Sequence, residues 1–129
     1  YGIGSIQRLC DFCDPEFAIV TAIGDAHTER FGSIENIAIA KSELIGHVCA
    51  RGGKAVIPQE ILQHAPFAAL KKRYPDLVKT VGHTEDADFQ ITKAELEESN
   101  WAIQLRETDN AGAQNIRYTL PLLGDHNVL

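Results

Sequence analysis

The chain has 129 residues, 44% hydrophobic and 23% charged, a size and composition that fit one soluble globular domain with a real core. Its formal net charge of -6 argues against a nucleic-acid surface. No apolar run approaches the roughly 20 residues of a membrane span, and three cysteines, an odd count, argue against a disulfide framework and for a reducing cytoplasm.

In chain order, Ser5 is placed to cap a short helix whose face carries Ile6, Leu9, Cys10 and Cys13, and Asp14-Pro15 ends it. The apolar run Phe17 to Ile23 reads as a central parallel strand covered on both faces. Gly24, Asp25 and Ala26 turn the chain and deliver His27. Ser33 caps a helix to about Ala50, in which Ile34, Ile37, Ala38, Leu44, Ile45 and Val48 recur near a 3.6-residue period. Gly52-Gly53 turns into a strand over Lys54 to Ile57, a helical region from Gln59 to about Tyr74 breaks near Pro66, and Val78 to Gly82 is a further strand. This alternation predicts a parallel sheet with crossover helices over residues 1–83.

The texture then changes. Residues 88–122 predict a small antiparallel sheet of three strands, with Trp101 in its core and a turn at Thr108 to Gly112. Gly124 to Asn127 opens a helix over residues 124–129. The sequence begins without Met and stops inside that helical pattern, so a piece of a longer protein is expected. The fold class is α/β: a parallel sheet with flanking helices plus a small antiparallel sheet.

Two residues carry the chemistry. His27 follows the end of a parallel strand, where open α/β sheets place ligands, and its imidazole suits a metal or a phosphate. Equally, it fits a loop histidine bonded to backbone. Lys41 falls on the apolar face of its helix, four after Ile37 and four before Ile45. A buried ammonium is costly unless paired or chemically changed. One outcome is a side chain bent out to water. The other is reaction with carbon dioxide to a carbamate, an anionic oxygen ligand suited to magnesium. Glu29 and Glu43 are placed to orient these groups. Cys10-Asp11-Phe12-Cys13 lacks the second pair a structural zinc needs, and both thiols are expected to pack on the helix's apolar face. Lys71-Lys72-Arg73 reads as a solvated helix end, and His47, His64 and His83 form no pattern. No G-x-x-x-x-G-K-[ST] loop and no G-x-S-x-G elbow occurs in the chain.

Three segments together resemble the central, ATP-binding domain of the Mur ligase family: Ala26-His27-Thr28-Glu29-Arg30-Phe31-Gly32-Ser33 with Ile34 to Ala38, then Ala40-Lys41-Ser42-Glu43, then Gly124-Asp125-His126-Asn127-Val128. The opening Tyr1 to Ile6 resembles the segment after that family's E-x-G motif, so the resemblance spans the chain. The pattern is most similar to the branch that adds D-alanyl-D-alanine to UDP-N-acetylmuramoyl-tripeptide. The resemblance implies an ADP-forming amide ligase of peptidoglycan-precursor synthesis, with ATP and magnesium as cofactors. A UDP-N-acetylmuramoyl-peptide and an amino acid or dipeptide are the implied substrates. His27 and Lys41, the latter as a carbamate, match the family's ligands to the second magnesium. Asn127, beside His126, matches the asparagine that contacts adenine. The phosphate-binding loop and the metal-binding glutamate are expected before Tyr1, so the 129-residue chain alone is expected to be inactive. Pro58-Gln59-Glu60 stands where the family usually has N-A-D-D, and Ala22 where many members have asparagine. The rival readings are a folylpolyglutamate or cyanophycin synthetase on the same domain, a non-catalytic binding module, and a C-x-x-C redox protein.

Overall fold

The computed structural model describes residues 2–24, 32–97, 100–109 and 112–121. The elements are α1 (Ser5–Cys13), β1 (Phe17–Ile19), α2 (Ile34–Ala50), β2 (Lys54–Pro58), a 3₁₀ turn (Gln59–Gln63), α3 (Ala65–Arg73), β3 (Val78–Gly82), β4 (Phe89–Glu97), β5 (Asn100–Asp109) and β6 (Gly112–Pro121). The six strands hydrogen-bond to their neighbours in chain order. The chain divides into two compact units, Tyr1–Thr80 and Val81–Leu129.

In the first unit β1 and β2 run parallel, Ala18 opposite Ala55 and Ile19 opposite Val56. Ala18, Ala55, Ile57 and Val78 share a buried cluster with Ile45 and Val48 of α2 and Phe67 of α3. α2 forms as the periodicity predicts. Ser33 accepts from the Asn36 amide at 3.2 Å, which satisfies an otherwise orphan N–H. The region after β2 breaks at His64, so that Pro66 sits in the first turn of α3, where its missing N–H costs nothing. Gly52 adopts φ 83°. At Gly53 a Cβ would collide with the Glu16 carbonyl oxygen and lie 2.7 Å from Val48 Cγ1. That close approach lets the Lys54 amide donate to Glu16 at 3.1 Å and start the β1–β2 ladder.

Three expectations are corrected here. β1 ends at Ile19, and only the Val20 amide extends its pairing, to the Val56 carbonyl. Among the described residues β1 stands at one end of the strand order, and Phe17 and Ile19 are exposed. The buried cluster takes up Ala18 and Val20, and the alternate side chains of the apolar run point away from it. α1 begins at Ser5 rather than after it. Gly4 is the cap residue at φ 86°, and the Ser5 hydroxyl accepts from the Gly2 amide instead. Finally, Cys10 is buried while Cys13 and Leu9 are exposed, so a single thiol of the pair packs.

In the second unit Val81 and Gly82 pair in parallel with Phe89 and Gln90. β4, β5 and β6 then form an antiparallel meander, with a register shift between Ile91 and Lys93. Ala102 and Ile103 of β5 are buried. Trp101, expected in the core, is half-buried, and its indole N–H has no hydrogen-bond partner. Residues 124–129, where a helix was expected, lie outside the described residues.

Candidate functional site

Of the four residues the sequence singles out, the structure describes Lys41. His27, His126 and Asn127, together with Glu29, lie outside the described residues. Lys41 stands on α2 between buried Ala40 and buried Ile45. Its side chain is half-buried, and Nζ donates to the Ala22 carbonyl at 2.7 Å. Ala22 follows β1, so the amine is held beyond the C-terminal end of a parallel strand. Ile6, Ile19, Val20, Thr21 and Leu44 join Lys41 around a cavity of about 180 Å³. A larger cavity of about 450 Å³ lies at the other end of β1, between Asp14 and Lys54. The C-terminal end is the one where open α/β sheets bind ligands.

Glu43 does not turn toward Lys41. Its carboxylate accepts from the Gly4 amide and, at 2.9 Å, from the Gln7 amide. It therefore supplies the cap that α1 lacks from its own side chains.

One turn further along α2, His47 is nearly enclosed, its side chain 8% exposed. Its Nδ1 lies 3.1 Å from Gln7 Nε2, and its Nε2 lies 3.4 Å from Asp14 Oδ1. Arg51 grips the same carboxylate with Nε at 2.6 Å and Nη2 at 2.9 Å. Residues 43, 47 and 51 recur every four and form a polar seam along α2 against α1. That spacing is visible in the sequence, but its meaning depends on a partner helix the sequence does not identify.

Burial, then the neighbouring Asp11 and Cys13, pushes the Cys10 thiol above its ordinary range, and burial does the same to Cys49. A raised thiol is a poor nucleophile at neutral pH, which opposes the redox reading of Cys10 and Cys13. Among the described residues no three His, Cys, Asp or Glu side chains are grouped to hold a metal. Among the described residues, too, no helix is long and apolar enough to cross a membrane.

A family model described as the Mur ligase middle domain matches residues 1–129. The UDP-N-acetylmuramoyl-tripeptide–D-alanyl-D-alanine ligase of Bacillus subtilis (strain 168) is 29% identical over 126 residues, which are 98% of this chain and 25% of that protein. A crystal structure of MurF from Acinetobacter baumannii superposes with a TM-score of 0.67 at 29% identity, covering 97% of this chain and 26% of that one. MurF ligase from Thermotoga maritima in complex with ADP gives a TM-score of 0.63 at 24% identity, over 88% of this chain and 25% of that one, and bears on the fold alone. The chain thus spans about a quarter of the length of these relatives.

Proposed function

Because the chain belongs to the Mur ligase middle-domain family, we propose that the full-length protein is an ATP-dependent, ADP-forming amide ligase of peptidoglycan-precursor synthesis. It joins D-alanyl-D-alanine to UDP-N-acetylmuramoyl-tripeptide in the cytoplasm. ATP phosphorylates the peptide's terminal carboxylate, and the dipeptide amine displaces phosphate from the acyl phosphate. The observation that carries this reading is the placement of Lys41 Nζ on the Ala22 carbonyl, at the ligand-binding end of β1.

The local chemistry fits a carbamate. Carbamylation leaves one N–H on the lysine nitrogen, so the bond to Ala22 can persist. It adds a carboxylate, one negative charge shared by two oxygens, beside a cavity of about 180 Å³. In this reading the carbamate of Lys41 and the imidazole of His27 hold magnesium, and Asn127 with His126 meets the adenine. Magnesium, when bound, offsets the negative charge that gathers as a phosphoryl group transfers. Lys41 contributes by holding its oxygens at a fixed height along α2. Ile6, Ile19 and Val20 line the apolar side of the same cavity.

The test uses the full-length protein with magnesium-ATP, UDP-N-acetylmuramoyl-tripeptide and D-alanyl-D-alanine. ADP release that requires both substrates is the expected result. Release driven by a pteroylglutamate, or none with any peptide acceptor, overturns the proposal.

A further inference from the structure

We infer that Glu43 is a positioning residue for Lys41. It ties the start of α1 to the turn of α2 that carries the amine, and so fixes the wall of the Lys41 cavity. The two hydrogen bonds of its carboxylate go to Gly4 and Gln7, which bracket Ile6. Ile6 is the residue that α1 contributes to that cavity. Glu43 and Lys41 are two residues apart on α2, about 3 Å along its axis. The helix being held needs an outside partner. α1 is only nine residues long, has a left-handed Gly4 at its start and makes no side-chain cap of its own. A helix of that length is marginal unless tertiary contacts fix it. The carboxylate also places negative charge at the positive end of the α1 dipole.

At the other end of α1, Asp14 is held by Arg51. The two ends thus supply an internal comparison. Loosening the Asp14 end weakens the α1–α2 seam without touching Ile6. Loosening the Glu43 end releases the Gly4 and Gln7 amides and with them Ile6, which lines the Lys41 cavity. A purely structural role for Glu43 predicts the same consequences at both ends, whereas a positioning role does not.

The experiment compares Glu43→Gln, Glu43→Ala and Arg51→Ala in the full-length protein. The first readout is the acetylation rate of Lys41 by acetic anhydride in bicarbonate-free buffer, relative to exposed Lys54, mapped by mass spectrometry. Glu43→Ala, which removes both acceptor oxygens, is expected to raise that ratio about fivefold, the size of a lost helix cap, and Glu43→Gln, which keeps one acceptor oxygen, raises it by a smaller factor. Arg51→Ala leaves it unchanged, and Glu43→Gln serves if the alanine variant fails to fold. The second readout is the magnesium concentration for half-maximal turnover. Glu43→Ala raises it about tenfold, as for a lost support to a metal ligand, and Arg51→Ala does not. Equal effects of the two substitutions, or no effect of Glu43→Gln on either readout, overturns the inference. This second arm rests on the ligase reading. A wild-type protein without ligase activity would defeat that reading, and the acetylation ratio would still decide the role of Glu43.

Discussion

In the first unit, Phe67, Ile45, Ile57 and Val78 are completely buried in a cluster drawn from two helices and three strands. In the second unit, the described strands bury Ala102 and Ile103 and leave most of β4 exposed or half-exposed. The difference follows from the kind of pairing. Parallel strands return through crossover helices, which must pack on the sheet and bury what they cover. Antiparallel strands return through tight turns, so a meander can satisfy its own ladder and keep one face wet. The helix-covered unit holds a side chain at a set depth, and Lys41 lies there. The meander presents charges to water, such as the bidentate contact of Arg117 with Glu97, both oxygens at 2.8 Å.

This contrast is sharpened first by removing a lysine from each unit. Lys41→Ala in the full-length protein is expected to lower turnover by about 100-fold or more, as loss of a group that stabilises transferring charge does. Lys41→Arg does not restore it, because guanidinium stays cationic and offers no acceptor. Lys93→Ala, in the meander, leaves turnover unchanged. Steady-state assays at saturating magnesium and bicarbonate check all three. Near-normal activity of Lys41→Arg would reduce Lys41 to a packing residue.

Stability separates the units next. Phe67 is fully buried, and Phe67→Ala should cost about 3–5 kcal/mol. The loss is read as a lower denaturation midpoint with an unchanged slope. Gly53→Ala should cost about 1–3 kcal/mol, because its Cβ has to displace the Glu16 carbonyl that opens the β1–β2 ladder. A neutral Gly53→Ala would mean that the Glu16–Lys54 contact is not required. The smallest effect belongs to the meander. Arg117 and Glu97 are 56% and 52% exposed, so Arg117→Ala should shift stability by no more than about 0.5 kcal/mol. A larger loss by denaturant titration would show that the meander depends on its ion pairs.

Much of this was legible locally. The period of Ile37, Ile45 and Val48 and the Ser33 cap specify α2 because both signals lie within a few turns of one helix. β3 over Val78–Gly82 and the two longest antiparallel strands also follow from local pattern. Where β1 ends was not legible. The apolar run continues to Ile23, but regular pairing stops at Ile19 and the Val20 amide alone extends it. Nor was the packing of Cys13, because helical phase names a face without saying how far the partner helix extends along it.

The sequence by itself determined that Lys41 sits on the core side of a helix, between Ile37 and Ile45, and that the chain resembles the Mur ligases end to end. Those are properties of spacing and of residue order. Only the tertiary structure decided what Lys41 touches and what Glu43 does. The Ala22 carbonyl is nineteen residues from Lys41, and the amides of Gln7 and Gly4 are 36 and 39 residues from Glu43. Two positions apart on a helix, the side chains of Lys41 and Glu43 project to nearly opposite sides, so Glu43 faces away from Lys41. What it faces is decided by the tertiary structure: α1 brings uncapped amides within its reach, and leaving them without an acceptor would cost more than an ion pair in water gains.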